Sequence, residues 1–241
     1  ASANPEDYTN RGRIITPLKD RFGAEVRTHY PLELSDEIAL VEQEAVLVAD
    51  VPRHLLEIIA RFTRALRESA AVDQGSGVSA RFAVAAAETA AAAALRRAAL
   101  TGEDGAVARP IDLDSVPAVL RGKLEFASGE EGRETEHLTH LLRRATADTA
   151  RRRLRGIDLD PLAEAVAAAP VRTGERVAAA DVVAALPSVA ALTEVATRLD
   201  AAGTEAPGPM ASAAELALEL LFLTRRLSKD QSDDGESVSY G

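Results

Sequence analysis

The residues with the clearest chemical potential are cations. Arg81 falls two positions after Ser79, a good helix N-cap, so its guanidinium stands in a first turn whose dipole opposes it. Arg96 and Arg97, towards the other end of the same run, obey the dipole. An anion near Arg81 would resolve the conflict, and a planar, permanently charged group can contact two phosphoryl oxygens at once. His137 and His140, beside Glu134 and Glu136, have a spacing that sets two metal ligands on one helix face. A third ligand in frame is missing, so a solvated face explains them better. The pair Asp36-Glu37 follows a strand-like run as acidic metal sites do, but Glu33 and Ser35 interrupt that run and the pair reads as a helix start. Asn4-Pro5, read alone, is a turn dipeptide.

The chain has no Gly-x-x-x-x-Gly-Lys-Ser/Thr loop: Gly122-Lys123 has Pro117 where the first glycine belongs and is followed by Leu124. No apolar run ends in Asp-Glu to hold Mg²⁺. The 241 residues include no Cys, which removes disulfides and thiolate chemistry. With 28 Lys and Arg against 38 Asp and Glu, the net charge of −10 gives no reason to expect nucleic acid or an anionic membrane as partner. Arg143, Arg144 and Arg151 to Arg153 form a basic stripe without interleaved aromatics, better suited to pairing with Asp and Glu on neighbouring helices. No apolar run reaches membrane-spanning length, and a cytoplasmic protein is expected.

The elements that must position these groups are mostly helical. Val26, Thr28 and Tyr30 alternate with charged residues and predict a strand over 24–30, the only one expected. Helices are predicted from Ser35 to about Val48, from Pro52 to about Glu68, from Ser79 to about Ala99, from Asp112 to Phe126 and from Glu134 to Leu154. Short helices broken at Pro170, Gly174 and Pro187 follow. Residues 204–209 read as a linker, and an amphipathic helix from Ala211 to about Leu227 requires a partner surface. The polar run from Ser228 to Gly241 reads as a disordered tail.

Ala3-x-x-x-x… through Gly23 carries two short patterns in order, Ala-Asn-Pro at residues 3–5 and Asp20-Arg21-Phe22. A third, Gly77-Val78-Ser79-Ala80-Arg81, lies downstream. Together they resemble the second half of an AAA+ ATPase core, of the branch that includes the magnesium chelatase I subunit and the MoxR-type ATPases. The resemblance implies that Asn4 is sensor 1, positioning the attacking water without competing for its proton. It also implies that Arg21 is an arginine finger and that Arg81 is sensor 2, reaching over the nucleotide phosphates. In related hydrolases a finger is worth roughly 10³ to 10⁵ in rate. Arg11 and Arg13 are lesser candidates for the finger.

That resemblance implies a mainly α chain: the C-terminal end of an α/β nucleotide-binding core (residues 1–33), a helical lid (34–127), a helical extension (128–203), a linker (204–209), a last helix (210–228) and a tail (229–241). ATP and Mg²⁺ are the implied cofactors, with the phosphate loop and the metal ligands expected upstream of Ala1, since the chain opens without an initiator Met and reads as part of a longer protein. A homo-oligomeric ring whose ATP cycle remodels or activates a partner with a metal-holding von Willebrand factor A-type domain is implied as well, with a tetrapyrrole chelatase and another metalloprotein both open as the target. The rival expectation is a non-enzymatic, Ala-rich helical adaptor.

Overall fold

A computed structural model describes residues 21–24, 26–73, 76–232 and 237–241. Asn4, Arg11 and Arg13 lie outside the described residues. The architecture is mainly helical, with one small sheet.

The first helix among the described residues, α1 (Leu34–Glu44), buries Glu37, Ile38 and Val41. Its N-cap is Glu33, so Ser35 sits inside the first turn instead of capping it, and Val48, expected on the buried face, lies beyond the helix and is exposed. Helix α2 (Arg53–Arg67) follows Pro52 and buries Leu55, Leu56, Ile58, Ile59, Phe62 and Leu66, the spacing of a helix enclosed on most sides. Helix α3 (Ala80–Thr101) starts where Ser79 Oγ accepts the Arg81 N–H at 3.2 Å and stops at Gly102, whose φ of 74° terminates the helix in the left-handed region. Its alanines at 83, 86, 87, 90, 91, 94 and 98 are buried, and the small side chains let its neighbours approach closely.

The single helix predicted over 112–126 is three pieces: a 3₁₀ turn (Pro110–Ser115), α4 (Val116–Leu120) and a second 3₁₀ turn (Arg121–Lys123). Pro110 and Pro117 cannot donate a backbone hydrogen bond, and Gly122 carries a high helix cost, so no continuous ladder forms. Helix α5 (Glu134–Arg153) matches its prediction closely. Then come α6 (Asp160–Ala168), β1 (Val171–Gly174), α7 (Ala179–Ala185) and α8 (Ala190–Arg198).

The largest departures are at the C-terminal end. Helix α9 (Pro207–Leu223) begins within the predicted linker, because Pro207 suits a first helical position where its missing N–H costs nothing. It is not amphipathic: every residue from Ala211 to Leu221 is buried, and the helix packs against α5, α7, α8 and the Pro110–Ser115 turn. A Cβ at Gly208 would stand 2.6 Å from Val107 Cγ2, so glycine sets how closely that turn approaches the loop. The expected tail forms β2 (Lys229–Gln231) and β3 (Ser237–Tyr240), and β3 pairs antiparallel with both β1 and β2 in the order β1-β3-β2. Val171 and Lys229 both align with Tyr240, which is buried at the edge of α9.

The strand expected over 24–30 does not form. Ala24 and residues 26–30 pair with no strand among the described residues, and Val26 is 86% exposed. Alternation without a neighbouring strand leaves the backbone hydrogen-bonding groups to solvent. One hydrophobic core runs from Ile38 to Tyr240, crossing positions 128 and 204 where boundaries were expected, with α2 packed along α5.

Candidate functional site

Arg81 occupies the second position of α3, exposed, and its guanidinium has no hydrogen-bond or ion-pair partner among the described residues. Arg21 lies in an exposed turn. No hydrogen bond or ion pair among the described residues joins the two, and Asn4 lies outside them.

What fixes the turn that carries Arg81 is the last turn of α2. Arg67 donates from Nη1 and Nη2 to the two carboxylate oxygens of Glu37 at 2.9 and 2.7 Å, and from Nε to the Val78 carbonyl at 3.1 Å. Its guanidinium also lies 4.1 Å from the centre of the Tyr30 ring, a cation–π distance. One turn earlier, Arg64 Nη1 donates to the Leu32 carbonyl at 3.0 Å. Gly77 takes φ +66°, and a Cβ there would come within 2.8 Å of Tyr30 Oη. Two arginines of α2 therefore hold the 30–32 segment against the loop that leads into α3.

Arg97 of α3 and Arg109 of the following loop are structural, whereas Arg96 pairs with Glu175 at the surface. Arg97, 1% exposed, donates to Asp112 at 3.2 and 3.1 Å, to Glu103 at 2.9 Å and to the Val107 carbonyl at 2.7 Å. Arg109, fully buried, donates from Nη2 to the carbonyls of Gly174 and Val177 at 3.0 Å each. Its Nε stands 3.2 Å from Glu215 Oε1, a distance for ion pairing without hydrogen-bond alignment. Burial raises the Glu215 carboxyl, and Arg109 opposes that rise. These residues gave no signal in sequence, since each partner lies on a different element.

A second polar group lies under α9. His54 Nε2 lies 3.0 Å from Ser212 Oγ, and burial, with Arg153 adding to it, lowers the imidazole from 6.5 to about 4. The hydroxyl and the ring are both buried, so the pair has no route to a substrate. Nearby, Glu57 accepts from Arg61 at 2.8 Å and from Arg153 at 2.7 Å. Arg151 and Arg144 lie 3.5 and 4.0 Å from Asp148, so three cations of the basic stripe pair with carboxylates.

Glu219, on the next turn of α9, accepts from both Lys229 and Tyr240 and ties the small sheet to the core. Asp114 stands close by in a crowded concavity, its side chain still open to water. Desolvation, opposed by Lys229 and Arg143 and reinforced by Glu219 and Asp112, raises its carboxyl to about 6. Small cavities of about 150 and 230 Å³ flank it. A larger open groove of about 520 Å³ runs between α7, α8 and the start of α9, lined by Leu186, Val189, Leu192 and Met210 among others. Neither Arg21 nor Arg81 lines any of these three.

Among the described residues the paired histidines belong to no metal-holding group. His137 bonds Glu130 at 2.6 Å, and no group of three or more His, Cys, Asp or Glu residues is placed to hold a metal among the described residues. No helix among them is long and apolar enough to cross a membrane. Comparison with family models, with curated proteins and with solved structures finds no match.

Proposed function

We propose that this chain is the C-terminal part of a ring-forming AAA+ ATPase, similar to the magnesium chelatase I subunit and MoxR branch, that uses ATP hydrolysis to remodel or activate a partner. The observation that supports the reading is Arg81: an exposed guanidinium, without a hydrogen-bond or ion-pair partner among the described residues, in the first turn of a helix whose entering loop α2 holds against the segment that follows Arg21. A cation there is disfavoured by the helix dipole, and no contact among the described residues offsets it. Phosphate oxygens at that turn would meet both the guanidinium and the positive end of α3.

In this reading Arg81 contacts the nucleotide of its own subunit. Arg21 reaches the γ-phosphate of a neighbour's, and Asn4 orients the attacking water. The residues fit phosphate recognition. They do not supply an acidic cluster for Mg²⁺ among the described residues, so the reading requires a phosphate loop and metal ligands on a preceding segment of the same protein. The partner in this reading carries a von Willebrand factor A-type domain, with metal insertion as one form that its remodelling would take.

A second reading, a non-enzymatic helical adaptor, is favoured by the open apolar groove between α7, α8 and α9. Calorimetry separates the two when the 241-residue chain is compared with the longer protein. The chain itself should bind Mg·ATP more weakly than about millimolar, because it holds part of the phosphate contacts and none of the metal ligands. The longer protein should bind in the micromolar range and hydrolyse ATP. Absence of binding and turnover in the longer protein would leave the adaptor reading in place.

A further inference from the structure

We infer that Arg67 is a positioning residue that locks the first turn of α3, and with it Arg81, onto the segment that follows Arg21. The inference rests on the proposed function for its consequence in catalysis, and on geometry for the rest. All three guanidinium nitrogens of Arg67 are engaged, two by Glu37 of α1 and one by the Val78 carbonyl, while the flat face covers Tyr30. The group thus joins four pieces of chain: the 30–32 segment, α1, α2 and the loop entering α3.

Two different jobs are combined in this residue, and they can be separated. One is neutralising Glu37, which is fully buried and would be costly if left unpaired. A lysine ammonium can do that as a point charge. The other is gripping Val78 and Tyr30 while the fork is on Glu37, which needs a planar cation with donors along two edges. Only the second job bears on where Arg81 points, because Val78 lies three residues before it. Gly77 adds to the fit: with no Cβ it lets Tyr30 Oη close onto the loop, at a φ that L side chains adopt with strain.

The absence of cysteine makes the test clean. Nitroxides are placed on cysteines introduced at His29 and Arg81, both exposed, and the distance between them is measured by pulsed electron resonance in the 241-residue chain. The parent should give one narrow distribution. Arg67→Lys should broaden it at least about twofold while the melting temperature stays close to the parent's, since Glu37 keeps a counter-charge. Gly77→Ala should broaden it as well. Should Arg67→Ala fail to fold, Arg67→Lys decides the matter; an unchanged distribution in a folded Arg67→Lys protein overturns the inference.

The catalytic arm uses the longer protein with Arg81 in place. There Arg67→Lys should lower kcat by roughly 10- to 100-fold with a smaller change in KM for ATP, as expected for a misplaced group that still belongs to the site. Broadening without a fall in kcat overturns the catalytic part. If the unsubstituted longer protein has no ATPase activity, the proposed function fails, and the distance measurement still decides whether Arg67 sets the position of α3.

Discussion

The two ends of α3 hold arginines in opposite circumstances. Arg97 has a carboxylate, a second carboxylate and a carbonyl around it and almost no water; Arg81 has water and no partner among the described residues. Burial explains the first case, because a charge removed from solvent is tolerated when its hydrogen bonds are met. Folding does not explain the second. A cation at the positive end of a helix costs a few tenths of a kcal/mol up to about 1 kcal/mol, and no contact among the described residues offsets that cost at Arg81. Among the described residues, two arginines of this helix thus differ: Arg97 is enclosed by its partners and Arg81 has none.

The largest expected effect is at the buried end. Arg97→Ala strands Asp112 in the core and should lower stability by about 3–5 kcal/mol, read from urea unfolding. A loss below about 1 kcal/mol would mean that the network is not closed as described.

Acid titration probes the same distinction without losing a charge pair. His54 is held neutral by burial at about 4, below its ordinary 6.5. As pH falls, the unfolded chain takes up the proton first, so this contribution is complete above about pH 6.5 and is lost progressively down to about pH 4. At about 1.36 kcal/mol per pKa unit, the loss is about 3 kcal/mol. His54→Gln should flatten the stability profile in that window; an equal slope in both proteins would place the acid sensitivity elsewhere.

Ser79→Ala should cost about 1 kcal/mol, because it removes the cap that accepts from Arg81 N–H. The smallest effect sharpens the comparison most: Arg81→Ala should leave stability unchanged or raise it by up to about 1 kcal/mol, through relief of the dipole conflict and better helix propensity. A clear loss of stability would show that the guanidinium has a structural partner after all, and both ends of α3 would then be alike.

What could be read from the sequence was local. Ser79 before an alanine run, Pro52 before an apolar periodicity and the charged heptad-like stretch from Glu134 each define a helix through its own cap, dipole and spacing, and α2, α3 and α5 follow them closely. Elements that depend on distant partners were misread. The run from Lys229 to Tyr240 looks too polar to bury, yet β3 finds β1 more than sixty positions upstream, and Tyr240 turns inward to Glu219. Helix α9 looked amphipathic because Glu215 and Glu219 interrupt its leucines. Both carboxylates are in fact inside, offset by Arg109 and by Lys229 with Tyr240. At the candidate site, the dipole argument for Arg81 needs only neighbours in sequence and was available in advance. The grip of Arg67 on Glu37, Val78 and Tyr30 spans four pieces of chain, and no spacing announces it.

The proposed function assigns Arg21 and Arg81 to different subunits of a ring, and mixed rings measure that assignment directly. In the longer protein, Arg21→Ala and Arg81→Ala are each combined with a second variant disabled in its phosphate loop, and ATP turnover is followed as the ratio is varied. Arg21→Ala should bind ATP nearly normally, hydrolyse none by itself, and recover activity in mixtures, because an intact finger from the other variant can complete its neighbour's site. Arg81→Ala should recover nothing, since its defect and the phosphate-loop defect both lie in the subunit that binds the nucleotide. Recovery with Arg81→Ala and none with Arg21→Ala would contradict the assignment of both residues.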